Sequence, residues 1–433
     1  MRRTKQKFLL LLLLVSLCLT SCREKQDNDV TENDNAKQNV HTVDIRGLTK
    51  LDIVTDNTSF SADAEEQSWH FETDMNQNSL PLSGIADSGE NTYINCLNSL
   101  IKFPKNAYTA SIMCEKADCL HIIDSLENKN SITPADIACE ADLSIGENFG
   151  MGLQYYDGYL YYIIKDGGIG LCRISSDGRF KSQIMLLADN ASGNPEQNIP
   201  WLIHRGNVYF WNYKEGVCRV SLLNPKSRDV IMIRQEGSDE LPILKAYGSF
   251  LYFVLPGAKE DVWLFCRYNA ESEQIEQFTE INGRLTDFIV KDNKIYYQKY
   301  NEALIYQYDI DAGKNEVYFE LESKENSFYA DADYIYIPHA DSMGGNDESF
   351  NVMADVYTWD KVYVGIIQMK KKIKDKSSGS SESIYIVGSD EDRIFYQREI
   401  DSGRQKRQII SYINKSEISE NGAIMNIAYE YYI

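Results

Sequence analysis

Short runs of aromatic and aliphatic residues alternate with polar turns along most of this chain. The turn Asp157-Gly158 is followed by Tyr159-Leu160-Tyr161-Tyr162-Ile163, in which odd and even positions are both apolar. A strand has two apolar faces when neighbouring sheets cover both of them. A glycine-rich turn and a second apolar strand at residues 171–174 follow. The pattern therefore predicts a β-hairpin unit that is packed on both faces.

The same turn-plus-strand unit returns through most of the protein, at intervals typical of propeller blades. The predicted aromatic strands are residues 92–94, 159–162, 208–211, 250–253, 295–297, 334–336 and 393–396. The first of these fits the pattern less closely than the others.

A second strand repeats in step with the first. Leu171-Cys172-Arg173-Ile174, Val217-Cys218-Arg219-Val220 and Phe265-Cys266-Arg267-Tyr268 share one pattern, and Ile305-Tyr306-Gln307-Tyr308 continues it. The cysteines are 46 and then 48 residues apart. Independent strands would not keep this register, so one structural unit repeats. We interpret these three cysteines, and Cys96, as small core residues without a function of their own.

The repeats predict an all-β fold, a β-propeller of six to eight four-stranded blades, with seven the preferred number. Each small sheet would cover its faces by stacking against its neighbours around an axis. An array of immunoglobulin-like domains is the structural alternative, but its repeats would be about 100 residues long. Residues 341–390 fit the repeat poorly, and their glycine-rich and basic, serine-rich stretches predict long loops.

The N-terminal sequence predicts that the protein is exported and anchored to a membrane. A basic start and an apolar run over residues 8–19 lead to Leu19-Thr20-Ser21-Cys22. The run is short for a membrane span, and its basic flank fits a secretory signal. The last four residues resemble the bacterial lipobox, in which the cysteine is lipidated and becomes the new N-terminus. We expect a signal peptide at 1–21 and lipidation of Cys22; the alternative is an ordinary signal peptide with an incidental cysteine.

Residues 22–45 are polar and acidic, with hardly an apolar side chain. Such a segment buries too little surface to order itself, so it predicts a flexible tether. The propeller would then occupy residues 46–433. We expect the protein at the cell membrane of a bacterium, on the extracytoplasmic side, held by its N-terminal lipid.

The net charge of the chain argues against some classes of binding partner. The chain has 44 basic and 65 acidic residues and a net charge of −21. Loss of the predicted signal peptide would remove four bases and no acid. A strongly negative surface repels nucleic acids and anionic membrane surfaces, so we expect no nucleic-acid partner.

One cysteine-histidine cluster departs from the repeat. Cys114, Cys119, His121 and Cys139 follow the spacing Cys-x4-Cys-x-His-x17-Cys, in a segment of about residues 113–141. Three thiolates and an imidazole are the ligand set of a structural zinc site. The alternative is a disulfide between two of the cysteines, which an exported location permits, with a thiol left over. Zinc is the slightly favoured hypothesis, and a four-ligand site of this kind is structural rather than catalytic.

Enzyme signatures are missing from the sequence. It has no Gly-x-Ser-x-Gly, His-Glu-x-x-His or P-loop motif. We interpret His204 as a strand residue and place His339 in a loop near the channel. The pair Asp309 and Asp311 lacks the remaining ligands of an EF-hand, so a solvated turn is expected there. For Trp201, Trp211, Trp263 and Trp359, core packing is the expectation, with an exposed ligand-stacking ring as the alternative.

Two resemblances follow from these motifs. The Cys-Arg-Ile-Ser-Ser-Asp-Gly copy at residues 172–178 resembles the YWTD-type propeller blades of low-density-lipoprotein-receptor relatives, although Tyr-Trp-Thr-Asp itself is absent. The whole chain is similar to a family of bacterial surface lipoproteins, common in Gram-positive anaerobes, that join a lipobox to such a propeller. Their insert has the form Cys-Lys-x-x-x-Cys-x-His…Cys-x-Ala; here the lysine is Lys116 and the proline often found before the second cysteine is absent.

The sequence therefore predicts a membrane-anchored recognition module that binds an extracellular protein, peptide or glycan. A hydrolase or lyase that uses carboxylates of the channel is the first alternative, and a structural component of an envelope complex is the second. We prefer a non-enzymatic function because catalytic motifs are missing, since the fold alone does not decide between these functions.

Overall fold

The computed structural model describes residues 84–432, with gaps at 97–98, 115–140, 142, 144–149, 166–167, 179–180, 190–198, 226–227, 234–240, 258, 260, 325–327, 343–349, 373–380, 402–405 and 424. These residues form seven four-stranded antiparallel sheets. In every sheet the strands lie side by side in the order of the chain. The protein is thus an all-β, seven-bladed β-propeller, as the repeats predict.

The bounds of the strands follow the repeat. Blades 1 to 3 consist of β1 Ile85–Asp87, β2 Asn91–Cys96, β3 Ser99–Pro104 and β4 Ser111–Ile112; β5 Gly150–Tyr156, β6 Tyr159–Lys165, β7 Gly168–Ser175 and β8 Lys181–Asp189; and β9 Trp201–His204, β10 Asn207–Asn212, β11 Gly216–Ser221 and β12 Arg228–Ile233. Blades 4 and 5 consist of β13 Ile243–Tyr247, β14 Phe250–Pro256, β15 Val262–Asn269 and β16 Ile275–Asn282; and β17 Leu285–Lys291, β18 Lys294–Lys299, β19 Leu304–Asp309 and β20 Lys314–Glu320. Blades 6 and 7 consist of β21 Tyr329–Ala330, β22 Tyr334–Ser342, β23 Phe350–Thr358 and β24 Tyr363–Lys372; and β25 Ser381–Ser389, β26 Arg393–Asp401, β27 Lys406–Asn414 and β28 Asn426–Tyr432. The seven aromatic strands predicted from the sequence are the second strands of the seven blades.

Buried apolar side chains form a hydrophobic cluster between each pair of neighbouring blades within the described residues. The second strand of blade 2 shows how one sequence supplies two of these clusters. Leu160, Tyr162 and Ile164 pack towards blade 1, whereas Tyr161 and Ile163 pack towards blade 3. Successive side chains of a strand point to opposite faces, so the unbroken apolar run is required at both blade interfaces.

The repeated Cys-Arg pair has the same arrangement. Cys172, Cys218 and Cys266 lie on the third strands of blades 2, 3 and 4, and each packs against the preceding blade. All three are free and buried, and burial raises the pKa of each thiol to about 12. They are core residues, as the sequence predicts.

The arginine that follows each cysteine lies on the opposite face of the strand. The guanidinium carbon of Arg173 is 4.3 Å from the centre of the Tyr159 ring, and that of Arg267 is 4.5 Å from the Phe250 ring. Blade 3 has Asn207 instead of an aromatic residue at this position. Arg219 therefore reaches the next blade, where it donates to the Tyr268 hydroxyl at 2.7 Å and to Glu273 at 2.9 Å.

Within the part of the chain that the structure describes, the ring closes without exchange of strands. Blade 1 contains only the first four strands and blade 7 only the last four. Aromatic side chains make much of the closure contact, in which the Phe103 ring lies 5.8 Å from Phe395 and 5.0 Å from Tyr412. The backbone contributes as well, because the Ala110 N–H donates to the Ala428 carbonyl at 3.0 Å. Across the same interface the Cys96 thiol lies 2.9 Å from the Gln408 side-chain oxygen.

The turns between first and second strands are of two kinds. In blades 2 to 5 they are tight hairpin turns, and in blade 2 both Asp157 and Gly158 have positive φ angles, 46° and 81°. Such turns match the twist of the flanking strands. In blades 6, 7 and 1 the turn instead begins with an aspartate whose carboxylate accepts backbone N–H groups, namely Asp331, Asp390 and Asp87. The three aspartate-anchored turns are neighbours around the ring, and they lie on both sides of its closure.

One expectation from the sequence is wrong, and another lies mostly outside the described residues. Residues 341–390 contain β23, β24 and β25, and they fit the repeat poorly because blades 6 and 7 have longer strands than the blades that define it. The basic, serine-rich stretch predicted to be a loop lies largely outside the described residues, at 373–380. His339 lies within β22 and not in a loop, and its Nε2 is 3.6 Å from a carboxylate oxygen of Asp355. The glycine-rich stretch at 344–347 lies outside the described residues. None of the described residues belongs to a helix long and apolar enough to cross a membrane.

Candidate functional site

A recess of about 580 Å³ opens on the face of the ring that carries the turns between first and second strands. Residues 105–108 of blade 1, 333–334 of blade 6, and 391–393, 412 and 414–416 of blade 7 line it. It therefore lies over blade 7 and both of its neighbours, at the closure of the ring. The aspartate-anchored turns of blades 6 and 7 belong to this lining, whereas blade 1 contributes the segment that follows β3.

Lys105, Arg393 and Lys415 are the basic residues of the lining, and we call them, with their carboxylate partners, the floor of the recess. The partner of Arg393 is the buried Asp390. One Asp390 oxygen accepts the backbone N–H groups of Asp392 and Arg393, at 3.0 and 2.7 Å. The other accepts Nε of Arg393 at 3.0 Å and the hydroxyl of Thr92 in blade 1 at 2.7 Å. The Arg393 guanidinium also lies over the Phe103 ring, 4.2 Å from its centre. The pair thus fixes the turn of blade 7 against blade 1.

Lys415 connects blade 7 to the turn of blade 6 in a similar way. It follows the end of β27, is buried, and lies 2.9 Å from a carboxylate oxygen of Asp331 and 3.1 Å from one of Asp333. Burial disfavours its charge, but the two carboxylates more than offset this and raise the pKa of Lys415. The Tyr336 hydroxyl also donates to Asp331, at 2.9 Å. The lysine therefore remains protonated at neutral pH.

Lys105 occupies the equivalent position in blade 1, directly after β3. Its Nζ lies 3.0 Å from Glu391 of blade 7 and 4.0 Å from Asp87. Burial again opposes the charge of the lysine, and Glu391 and Asp87 overcome it and raise its pKa. Burial raises the pKa of Asp87, although the Gly89 N–H and Lys105 act in the opposite direction.

The rim of the recess carries exposed groups. The Tyr108 side chain is 83% exposed, while its backbone carbonyl accepts the Tyr412 hydroxyl at 3.2 Å. Asn106, Asp392 and Ser416 are exposed as well. The rim thus offers an aromatic face, an amide, a carboxylate and a hydroxyl above a floor of paired charges.

The two lysines of the recess are held as cations. Catalytic acids and bases need a pKa moved towards the working pH and access to substrate. The lysines of the recess have raised pKa values, which makes them poor bases. Each has a carboxylate partner that holds its charge in place, so the recess presents fixed donors and acceptors.

Two titratable groups outside the recess are buried in the scaffold. Lys245 on β13 has no exposed surface, and its Nζ lies 3.1 Å from Asp287 on β17. Burial lowers the pKa of Lys245 although Asp287 opposes this. His204 lies within β9, as the sequence predicts, and burial lowers its pKa to about 4. Both groups lie between blades, so neither is accessible to a substrate.

Most of the site residues predicted from the sequence lie outside the described residues. These are Cys22, Cys119, His121 and Cys139. Cys114 is described and lies half-buried against the cluster between blades 1 and 2. The segment occupies the connection from β4 to β5. Among the residues that the structure describes, no group of three or more His, Cys, Asp and Glu side chains is placed to hold a metal ion. Zinc and disulfide therefore both remain predictions.

The four tryptophans that the structure describes are not exposed aromatic residues. Trp201, Trp211 and Trp263 are buried in the core, and Trp359 packs against Tyr296 while its indole N–H donates to the Asp331 carbonyl at 3.0 Å. Asp309 caps a turn by accepting the Ala312 N–H at 2.8 Å. The exposed ring at the recess, Tyr108, carries no signal in the sequence, because it follows β3 in a segment without a repeated motif.

Comparison with known proteins identifies no family. No model of a known protein family matches the chain, and no curated protein is similar to it in sequence. The predicted membership of a lipoprotein family thus remains a prediction.

Solved structures with a similar arrangement exist. A chain of the nidogen/laminin complex is 9% identical, with 66% of this chain and 94% of that chain covered and a TM-score of 0.38. TolB from Acinetobacter baumannii is 13% identical, with 64% and 66% covered and a TM-score of 0.35. A prolyl endopeptidase is 9% identical, with 82% and 58% covered and a TM-score of 0.46. At these identities the likeness concerns the fold alone, and the seven sheets themselves establish the propeller.

Proposed function

We propose that this chain is a membrane-anchored, extracytoplasmic lipoprotein whose propeller binds a ligand without transforming it. The recess at the closure of the ring is the observation that carries this proposal. Its charged groups are held in pairs, its rim is exposed and its volume falls within the range of about 300–1,000 Å³ typical of ligand pockets. Groups positioned on a rigid scaffold bind without a large cost in ordering.

The lipobox ending in Cys22 supports the membrane anchor. Acyl chains on this cysteine would hold the protein by burying methylene groups in the bilayer. Metabolic labelling with a fatty acid should mark the protein, and Cys22→Ala should abolish the label. A label that survives the substitution contradicts lipidation at this residue.

The cysteine-histidine segment supports a structural metal ion in this proposal. Cys114, Cys119, His121 and Cys139 would hold zinc and fasten the connection between blades 1 and 2, with no part in ligand chemistry. Protein purified without oxygen should contain one zinc ion per chain. Protein without zinc, with one free thiol among these three cysteines, would show the disulfide instead.

A binding function is tested by the fate of the ligand. The full chain, solubilised in a zwitterionic detergent that contains no sugar, should retain a member of a panel of neutral glycans, acidic glycans and peptides. Mass spectrometry should recover that ligand unchanged after prolonged incubation. Catalytic amounts of the protein that convert a panel member to products would establish the hydrolase or lyase alternative.

A further inference from the structure

Acidic groups outnumber basic groups around the recess. The basic residues of the lining are Lys105, Arg393 and Lys415. The carboxylates are Asp333, Glu391 and Asp392 of the lining, together with Asp87, Asp331 and Asp390, which pair with its basic residues. When all of them are ionised, six carboxylates against three basic groups leave an excess of three negative charges.

The two signs of charge also differ in their exposure. The three basic side chains are only 3–18% exposed, and each is within ion-pair distance of a carboxylate. In contrast, the side chains of Glu391 and Asp333 are 78% and 53% exposed, and Asp392 is exposed as well. A ligand that enters from solvent therefore meets carboxylates, whereas the basic groups are buried and already paired.

Asp392 is the carboxylate that is most available to a ligand. Its backbone N–H donates to Asp390 at 3.0 Å, which holds the residue in the turn of blade 7. Its side chain forms no ion pair or hydrogen bond with any residue that the structure describes. A cation beside Asp392 would thus form a new ion pair without breaking an existing one. One exposed pair contributes at most about 1 kcal/mol, so a second contact is needed.

Tyr108 supplies a second contact for a cation. Its ring is 83% exposed, while its backbone carbonyl accepts the Tyr412 hydroxyl and so holds the segment in place. The face of an aromatic ring carries negative charge density and attracts ammonium and guanidinium groups. Because Tyr108 and the exposed carboxylates line the same recess, one organic cation can contact both.

This combination favours a cation over a neutral or an anionic ligand. A hydrogen bond from a cationic donor to a carboxylate is roughly twice as strong as one between neutral groups. A neutral ligand would therefore gain less from the same oxygen atoms. An anion would be repelled by the exposed carboxylates and by the net charge of −21, which instead steers cations towards the protein.

On the basis of the proposed binding function, we propose that the recess binds an organic cation, an alkylammonium or guanidinium group, between the Tyr108 ring and the exposed carboxylates. Asp392 pairs with the charge of the ligand, and Glu391 and Asp333 contribute their exposed oxygen atoms. The ion pairs of the floor stay intact beneath it.

Short synthetic peptides test the charge of the ligand. Peptides of lysine, arginine, glutamine or glutamate, blocked at both ends, are titrated calorimetrically into the full chain. The detergent is an uncharged polyoxyethylene, since a zwitterionic one would supply ammonium groups of its own. The lysine and arginine peptides should bind, and the glutamine peptide should bind about tenfold more weakly, because it lacks the ion pairs and the cation–π contact. Spermidine, offered in parallel, shows whether a free amine binds as well as a peptide side chain.

Substitution of Asp392 tests the position of the cation. Asp392→Asn should weaken binding of the lysine peptide about threefold, because one exposed charge is removed while the backbone of the turn is kept. Asp311→Asn is the matched control. It neutralises an exposed aspartate of blade 5 that lies outside the lining, so it changes the net charge equally and should leave binding unchanged.

Substitution of Tyr108 tests the aromatic contact. Tyr108→Ala should weaken binding of the lysine peptide about threefold, through loss of one exposed cation–π contact. Tyr108→Phe keeps the ring and should bind like the wild type. Tyr300→Ala removes a ring that is 66% exposed in blade 5 and should change nothing.

The outcomes separate the ligand from the binding function. Binding of cationic probes that depends on Asp392 and Tyr108 supports both proposals. Glutamine or glutamate peptides that bind as tightly as the lysine peptide, and more weakly to Tyr108→Ala, overturn the cation but keep the binding function of the recess. Cationic binding that Asp392→Asn and Asp311→Asn weaken equally reports attraction to the negative surface as a whole and overturns the recess as the cation site. Absence of binding by every cationic probe overturns this inference, whereas the proposed function falls only if the glycans and the remaining peptides are not bound either.

Discussion

Asp87 shows at the scale of one residue how the closure of the ring constrains a carboxyl group. It begins the aspartate-anchored turn of blade 1 and accepts the Gly89 N–H at 2.8 Å. Burial raises its pKa above the ordinary value of 3.8, and the nearby Asp390 adds to the effect. The carboxylate holds the turn through its hydrogen bond to Gly89. In its charged form, however, it lowers the free energy of unfolding, because it is buried.

Asp87→Asn should make the protein more stable near neutral pH, since an amide oxygen still accepts the Gly89 N–H and carries no charge. The sign follows from the raised pKa. Between pH 3.8 and the folded pKa the unfolded wild type loses a proton that the folded protein keeps, so the wild type loses stability as the pH rises. The advantage of the variant should grow over this interval and then level off.

Urea unfolding of both proteins at intervals between about pH 3.5 and 7 measures this difference. A difference in the free energy of unfolding that stays constant across the range would show that burial does not perturb this carboxyl group.

The turns between first and second strands show, at the scale of the element, two solutions to one problem. Blades 2 to 5 use backbone conformation, as at Asp157 and Gly158, and blades 6, 7 and 1 use an aspartate side chain. The side-chain version also reaches the neighbouring blade, because the second oxygen of Asp390 accepts Thr92 across the closure. A turn of this kind connects two blades as well as two strands.

Asp390→Asn and Asp157→Asn form a matched pair of substitutions. At residue 390 the amide keeps the backbone hydrogen bonds of the turn but leaves the Arg393 guanidinium without its charged partner. We therefore expect the free energy of unfolding to fall by about 3 kcal/mol. At residue 157 asparagine suits the positive φ of a tight hairpin turn, and the change should stay within about 0.5 kcal/mol. Thermal and urea unfolding measure both, and similar losses in the two variants would contradict the distinction between the turns.

The repeated strands could be predicted from the sequence, whereas the recess could not. The spacing of Cys172, Cys218 and Cys266 places the third strands of three blades correctly, because a packed interface requires the same side chains in each repeat. The recess could not be predicted, because it joins residues far apart in the chain: Lys105 and Glu391 are 286 positions apart.

The aspartate-anchored turns could not be recognised from the sequence either. Asp87, Asp331 and Asp390 resemble ordinary turn residues there, because aspartate is common in turns of every kind. Contacts with a neighbouring blade distinguish Asp331, which pairs with Lys415, and Asp390, which accepts the Thr92 hydroxyl, from the solvated aspartates of other turns. Asp87 is distinguished by its burial.

The closure of the ring is a property of the whole molecule. Every other pair of neighbouring blades is joined by the chain itself, whereas blades 7 and 1 are held by the closure contact and by ion pairs. The interface buries Ile94, Ile101 and Phe103 of blade 1 against blade 7. Its strength therefore decides whether the two end blades remain in the ring.

Phe395→Ala should weaken this interface by about 3–5 kcal/mol, through lost burial and the cavity left behind. Hydrogen exchange should then become faster in β1–β4 and β25–β28 together, because both blades lose the same contact. Phe265→Ala is the control, since Phe265 is equally buried between blades 4 and 5, and it should accelerate exchange in β13–β20. Faster exchange in blade 7 alone after Phe395→Ala would show that blade 1 does not depend on the closure.

The closure also affects how the chain folds while the ribosome synthesises it. β1–β4 are made before β25–β28, so the face of blade 1 that packs against blade 7 stays uncovered until those strands have been synthesised. The lining of the recess is divided in the same way, because Tyr108 is made before Asp392 and Ser416. A chain that stops before β25 therefore has neither a covered first blade nor a complete recess.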